Sequence, residues 1–346
     1  MNYPLVSIVV ATLNSQKTLS DALKSIKMQS YPQDKIEILV IDGGSEDKTI
    51  DTDMRFKCRI LKNPKVDQVY AKHLGWLNSR GKYIVFLDSD EKLADKNSIR
   101  EKVLLALGSK KVKVVVSSGY DNSRNSVRLN SYVNEFGDPF SFFMYRISKD
   151  KELFLEELKK RGKIISENSK AVIFDFSGQN TPPFIELTSM GVLIDRRYVK
   201  SNFTEVFKNV SAHTHLFYIL NLNRCLFAVM KHDGIIHESI YSLSSYLKKI
   251  NSRIKNNIYT TNMGYAGFAG REKYQPYWYR VKKLLFIFYV FLFLPLIADG
   301  LFLLIKRKKP VYLMHIFLSF YALFSTMYYY LLKTFGIKVR LAGYGT

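Results

Sequence analysis

The sequence predicts an α/β fold, a mostly parallel sheet with flanking helices, followed by a C-terminal α-helical membrane region. Three observations predict it. Short apolar, β-branched runs alternate with helical stripes through the first 116 residues, the pattern of βαβ units with right-handed crossovers. Tyr83 to Leu87 is apolar at every position and runs into Asp88-Ser89-Asp90-Glu91, as expected of a strand buried on both faces that ends at a polar edge. The last 106 residues hold two long apolar runs with 16 lysines and arginines against two acids, Glu272 and Asp299, so +14 of the net +22 falls there.

In chain order, Val6 to Thr12 is a β-branched strand, and Asn14-Ser15 can cap the helix that follows. Leu19, Ala22, Leu23 and Ile26 form a helical stripe that ends at Tyr31-Pro32. Ile36 to Ile41 is a second strand, with Asp42-Gly43-Gly44-Ser45 directly after it. Ile60-Leu61 makes a brief strand, Val69 to Asn78 a helix, and Tyr83 to Leu87 the next strand. Ser98 and Glu101 have capping-box spacing before Ile99, Val103, Leu104 and Leu107. Val112 to Val116 is a further buried strand. A parallel sheet would gather Asn14, Asp42 and Asp88 along one edge, where ligands bind in such sheets, with a Gly-Gly turn open to close approach. Asp-x-Asp at that edge suits Mg²⁺ or Mn²⁺, which in turn can hold a diphosphate. A polar turn capping the next helix is the alternative, and on this stretch alone both stand.

From about Ser117 to Gln179 the pattern weakens, apart from a charged helix over Leu153 to Arg161. Phe184 to Ile194 reads as one or two strands, Val210 to Tyr218 as a helix carrying His213 and His215, and Cys225 to Val229 as a strand before Ile235-Ile236-His237. The apolar share of 47% permits a substantial core. Cys58 and Cys225 are the only cysteines, in no metal-ligand spacing, which fits a reducing compartment. The apolar run near the start, Leu5 to Leu13, lacks a basic n-region and is a first strand rather than a signal peptide. The positive charge clusters at the apolar tail, which favours an anionic membrane over nucleic acid.

Four stretches, Ser7-Ile-Val-Val-Ala-Thr-Leu-Asn14, Val40-Ile-Asp-Gly-Gly-Ser-Glu-Asp-Lys-Thr49, Ala71-Lys-His-Leu-Gly75 and Gly81-Lys-Tyr-Ile-Val-Phe-Leu-Asp-Ser-Asp90, resemble the family 2 inverting glycosyltransferases of the GT-A fold in order and spacing. The resemblance covers the first 115 residues or so. It implies a sugar-nucleotide donor, with Thr12 and Asn14 lining the nucleotide pocket and Asp42 bonding the base. Lys72 stands where the family often has Arg. Asp88 would reach the ribose or metal side, and Asp90 would bind Mn²⁺ or Mg²⁺. His237, after an apolar pair, matches a family histidine that can contact the metal or diphosphate. Where the family usually carries a Glu-Asp pair that supplies the base, this chain reads Ser211-Ala-His-Thr-His215. His213 is the candidate base there, with Glu205 and Asp195 as competitors. If the acceptor is a polyprenyl phosphate, no base is needed.

Leu284 to Ile305 and Val311 to Leu332 are long enough to span a hydrocarbon core of about 30 Å. Tyr274, Tyr277, Trp278 and Tyr279 precede the first, and Tyr328 to Tyr330 close the second, like interfacial belts. Lys306 to Lys309 between them, and Asp299-Gly300 within the first, fit poorly with a simple spanning hairpin. A first segment folded back over Pro295 to Gly300, with both segments in the cytoplasmic leaflet, is the alternative. Ser239 to Ile258 is a basic amphipathic helix for lipid headgroups or a connecting helix with a solvated face.

These readings divide the chain into a nucleotide-sugar-binding half (1–116) and an acceptor-side half (117–238) of one domain, a basic juxtamembrane region (239–282), two hydrophobic membrane helices (283–333) and a short tail (334–346). They predict a membrane-attached glycosyltransferase on the cytoplasmic side, acting on a nucleotide sugar and a lipid-linked or envelope-glycan acceptor. A polyprenyl-phosphate glycosyltransferase and a non-catalytic membrane scaffold are the rivals.

Overall fold

The computed structural model describes residues 2–123, 126–179, 182–239, 242–259 and 274–341. Within these, the chain divides into two compact units, one formed by 2–121 and 150–237, the other by 122–149 and 238–341. The juxtamembrane region expected over 239–282 and the tail over 334–346 lie partly outside the described residues.

The first unit begins β1 (Val6–Thr12), α1 (Leu19–Lys27), β2 (Ile36–Asp42), α2 (Thr49–Arg55), β3 (Arg59–Lys62), α3 (Gln68–Asn78) and β4 (Tyr83–Asp88). The short β5 (Glu91–Leu93), α4 (Ser98–Gly108), β6 (Val112–Val116) and β7 (Gly119–Asp121) follow. After the helical α5 (Arg128–Phe136) and α6 (Pro139–Tyr145) of the second unit, the chain returns with α7 (Phe154–Lys159), β8 (Lys163–Glu167), β9 (Ala171–Asp175) and β10 (Val192–Asp195). It closes with α8 (Arg196–Asn202), α9 (Glu205–Lys208), α10 (Val210–Thr214), α11 (Leu216–Leu222), β11 (Leu226–Met230) and β12 (Gly234–His237).

A nine-stranded sheet runs β3-β2-β1-β4-β10-β6-β11-β9-β8, and a small sheet runs β5-β12-β7. From β3 to β4 every pairing is parallel, while β10 inserts antiparallel between β4 and β6. Val6, Ile8, Val9 and Val10 of β1 are fully buried, as are Ile84 to Leu87 of β4, which explains their unbroken apolar character. The expected stripe Leu19, Ala22, Leu23 and Ile26 is the buried face of α1. Helix α3 lies close on β1 because Gly75 has no side chain: a Cβ there would fall 2.2 Å from Val9 Cγ1.

Several local expectations are corrected. Asn14-Ser15 does not cap α1, whose N-cap is Thr18; the Asn14 side-chain oxygen instead accepts the Glu46 N–H at 3.0 Å. Ser98 is the first residue of α4 and Asn97 its N-cap, so no capping box forms. In Phe184 to Ile194 the only strand begins at Val192. The hairpin β8–β9 had no sequence signal, because β8 is exposed at every position.

The second unit joins α5 and α6 to α12 (Leu243–Tyr259), α13 (Trp278–Phe291), α14 (Leu294–Arg307) and α15 (Met314–Thr334). The first apolar run is two helices, bent by 86° at Leu292–Phe293 rather than at Pro295 to Gly300. Among the described residues, Pro310–Thr334 is the one helical stretch long and apolar enough to cross a membrane, with the bent pair counting as a second only if it is one broken span. Polar side chains knit this unit together. Asp299 of α14 accepts from Arg146 at 2.6 Å and from the Tyr289 hydroxyl at 2.8 Å. His315 sits between Tyr289 and Tyr132, 2.8 and 2.7 Å from their hydroxyls. Buried Glu135 accepts from Arg307 and from the Tyr312 hydroxyl.

Candidate active site

The register of the parallel strands sets Thr12 beside Asp42 and Ala11 beside Asp88. The chain leaves β1 on one side for β2 and β3 and returns on the other with β4. That reversal opens a crevice beyond the carboxyl ends of β1 and β4, the usual ligand position in open α/β sheets. Asp42 and Asp88 are therefore brought to one edge, with Thr12 and Asn14 on the strand end between them.

The loops on this edge are fastened to one another. The Asp42 carboxylate accepts from the backbone N–H of Gly44 (2.8 Å) and Ser45 (3.0 Å) and from the Ser45 hydroxyl (2.5 Å). Gly44, at φ +92°, adopts a turn that favours glycine. Asn14, itself left-handed at φ 50°, donates its N–H to Ser45 Oγ at 2.9 Å. Across the crevice, Ser15 Oγ and Ser89 Oγ share a hydrogen bond of 2.9 Å. Three loops that follow β1, β2 and β4 are thus held as one rim before any ligand arrives.

Asp88 takes an ion pair from Lys72 Nζ at 2.7 Å and a hydrogen bond from Gln68 Nε2 at 3.1 Å. Lys72 and Gln68 lie one turn apart on α3, whose N-cap, Asp67, accepts from the Tyr70 N–H. Burial works against the Lys72 charge, but the Asp88 carboxylate more than restores it, and the ammonium is held above its ordinary value. Lys72 thus braces the strand end.

Asp90 and His237 meet from different elements, with His237 Nε2 3.5 Å from Asp90 Oδ2. His237 ends β12, paired opposite Glu91 of β5, and its ring stacks on Tyr120 at 4.6 Å. Among the described residues, no cluster of three or more His, Cys, Asp or Glu side chains could hold a metal. A carboxylate and an imidazole side by side still fit a divalent cation whose remaining ligands are diphosphate oxygens and water. Beneath this pair, Glu91 is fully buried and accepts from the Asp88 N–H (3.0 Å), the Met190 N–H (3.0 Å) and the Tyr120 hydroxyl (2.6 Å). Burial, then the neighbouring Asp88 charge, pushes its carboxyl up to about 7.

His213 lies elsewhere. It is buried on α10, edge-on to His73 (4.9 Å) and Trp76 (5.2 Å), which both belong to α3. Burial, with His73 adding to it, lowers its pKa to about 3, so it is a poor proton acceptor. His215 is also buried. The competitors Asp195 and Glu205 serve α8 and α9: Asp195 accepts the Tyr198 N–H as N-cap, and Glu205 begins α9.

Sequence reasoning missed Gln68, Ser89, Glu91 and Tyr120. Glu91 had a signal, a third acid directly after Asp88-Ser89-Asp90. Gln68 sits one helical turn before Lys72, so it shares that residue's face.

Residues 7–162 match the model of the family described as glycosyl transferase family 2. An uncharacterized glycosyltransferase of Haemophilus influenzae is 35% identical over 102 residues, 28% of this chain and 40% of that protein. A dolichyl N-acetyl-α-D-glucosaminyl phosphate 3-β-D-2,3-diacetamido-2,3-dideoxy-β-D-glucuronosyltransferase of Methanococcus voltae is 34% identical over 92 residues, 25% of this chain and 28% of that protein. The chain thus spans less than half the length of these curated relatives. In fold, the chain is similar to a mannosyltransferase from Pyrobaculum calidifontis solved with GDP-Man and Mn²⁺, with TM-score 0.50 and 13% identity over 95% of this chain and 88% of that one. Residues 7–162, less than half of the chain, thus resemble glycosyl transferase family 2, and the fold is GT-A-like.

Proposed function

We propose that this family 2 domain transfers a sugar, with inversion, from a nucleoside-diphosphate donor to a lipid-linked or cell-envelope glycan acceptor at the cytoplasmic face of a membrane. The observation that carries the reading is the shared strand edge. Asp42 and Asp88 stand side by side across β1, and Asp90 meets His237 beside them. The exposed apolar and basic surface of the second unit supports membrane attachment.

In this reading Thr12 and Asn14 line the nucleotide pocket, with Asp42 near the base. Lys72 and Gln68 fix Asp88 toward the ribose. Asp90 and His237 hold the cation, and the imidazole favours Mn²⁺ over Mg²⁺. A bound divalent cation would neutralise the departing diphosphate. The residues' own contribution is positioning: a rim already fastened by Ser15–Ser89 and Asn14–Ser45 loses little freedom when the donor binds.

The burial of His213 favours a second reading, in which the acceptor is a polyprenyl phosphate. Such an acceptor is already anionic, and no side chain need take a proton from it. An acceptor hydroxyl would need a base other than His213.

The test is transfer of labelled sugar from a panel of nucleotide sugars to lipid acceptors with Mn²⁺, in the parent chain and in Asp90→Ala. The expected result is transfer that falls by ~100-fold or more in the variant, the scale at which charge-stabilising groups act. Equal transfer by both proteins contradicts the proposal. Activity on polyprenyl phosphate and none on lipid-diphosphate glycans selects the second reading.

A further inference from the structure

The second unit could bind a membrane by crossing it or by lying in one leaflet. Among the described helices, α15 alone has the length and apolarity to cross by itself. However, it is not bare. Helix α12 runs along it in the same direction: Tyr321 donates its hydroxyl to the Leu247 carbonyl (3.3 Å), Asn251 Nδ2 donates to the Tyr329 hydroxyl (2.9 Å), and Lys333 Nζ donates to the Ile258 carbonyl (2.6 Å). Beyond the helix end, Tyr259 donates to the Ile337 carbonyl at 2.9 Å.

If α15 entered a bilayer at Pro310, Tyr321 would lie about 16 Å deep, near the midplane of a core about 30 Å thick. Helix α12 would then accompany it through the far half, with Lys248 and Lys249 inside the core and Arg253 and Lys255 toward its far boundary. Ionised side chains at that depth are costly and rare. With α12 at the headgroup boundary instead, the exposed Lys248 can reach anionic headgroups, while Tyr246, Ile250 and Ile258 stay packed inside the unit.

The other two helices point the same way. At 14 residues each, α13 and α14 are about 21 Å long, too short to cross singly. Phe293, at φ 60°, turns the chain between them. Tyr289 on α13 donates to Asp299 on α14, so the bend is pinned from both arms. Straightening the pair would pull Asp299 from its partners into hydrocarbon. Leu284, Phe288, Leu292, Leu294 and Ile305 remain exposed along the bent pair, and Phe324 on α15. Lys282 and Lys283 stand near one end of the pair, and Lys306 to Lys309 near the other.

We propose that the helical unit is monotopic: α12 to α15 lie in a single anionic leaflet, and no helix of the unit crosses to the other side. The proposal rests on the membrane-attachment reading. It also removes the sequence-level conflict over Lys306 to Lys309, which need not leave the cytoplasmic side.

The test is limited trypsin digestion of the full chain in sealed vesicles of either orientation, with fragments identified by mass. The expected result is cleavage in the 306–309 run and after Lys338 from the cytoplasmic face, and neither from the opposite face. Cleavage of the two places from opposite faces means that α15 crosses, and overturns the proposal. Labelling of Lys309→Cys and Lys338→Cys, each in a Cys58→Ser/Cys225→Ala background, with a membrane-impermeant maleimide gives the same comparison without proteolysis. Sedimentation of the vesicles is scored separately: a chain found wholly in the soluble fraction refutes membrane attachment itself, and the monotopic arrangement with it.

Discussion

Leu87-Asp88 and Ala298-Asp299 look alike in the sequence, each an acid set against a long apolar run. In the fold they differ in kind. Asp88 stands at a strand end on the rim of a crevice, held by Lys72 and Gln68 and beside Asp90 and His237. Asp299 lies within a helix, and its oxygens are taken by Arg146 and Tyr289 of neighbouring segments. Glu135, 0.01 of its side chain exposed, is likewise used by Arg307 and Tyr312. The carboxylates of the sheet edge stand at strand ends among the loops that follow them, and those of the helical unit bind arginine and tyrosine side chains of neighbouring helical segments. An acid beside an apolar stretch is therefore informative only with the knowledge of what ends there: a strand that opens on a cleft, or a helix that packs on another.

The difference can be broken at either side. The largest expected effect is Glu135→Ala. It leaves Arg307 beside an empty polar cavity, and the loss of one partner of a buried pair costs about 3–5 kcal/mol. Chemical denaturation of detergent-solubilised protein measures this, and donor binding by the fraction still folded should be unchanged. If Glu135→Ala spared stability but abolished donor binding, the contrast between the regions would be wrong.

Lys72→Met and Asp88→Asn sharpen the other side. The two substitutions remove the same ion pair, so their effects on donor affinity should fall short of additive, with a coupling of about 1–3 kcal/mol in a double-mutant cycle. Strict additivity would mean that Lys72 contacts the donor directly rather than through Asp88.

The third effect is read as a change of slope. His213 titrates near 3 in the fold, mainly through burial, and near 6.5 when unfolded. Between those values the unfolded chain binds a proton that the folded chain does not. Stability is therefore lost as pH falls from about 6.5 toward 3, by ~1.4 kcal/mol per pH unit from this group. His213→Asn should flatten the melting temperature against pH over that acid range. An unchanged slope would mean that His213 is hydrated in solution, which would revive it as a base.

Much of the first unit was legible because its strands are buried on both faces. Val112 to Val116 has the boundaries its apolar run suggests, and the strand ending at Asp88 differs by one residue. The edge site was legible for the same reason, since parallel strands align their ends. What escaped was decided by distant partners. Helices α5 and α6 gave no clear pattern, as their aromatic faces make sense only against helices more than a hundred residues later: Phe142 meets His315, and Phe143 meets Tyr289. Glu91 looked like a polar turn because its partners, Tyr120 and the Met190 N–H, are remote in sequence. The break at Leu292–Phe293 carries no proline at the bend itself, so Pro295 drew attention a turn too late. The histidines of 211–215 were placed by family position, which could not reveal that Trp76 and His73 would cover His213.

The central claim is that Asp90 and His237, at the shared edge of β1, β2 and β4, hold a nucleoside diphosphate through a divalent cation. Calorimetric titration of UDP and GDP into the full chain, with and without Mn²⁺, tests it most directly when repeated in Asp90→Ala. The account predicts binding that requires Mn²⁺ and weakens by roughly 10- to 100-fold in the variant, the range seen when a metal's supporting groups are lost. Binding of equal strength with and without Mn²⁺, or in both proteins, would contradict it.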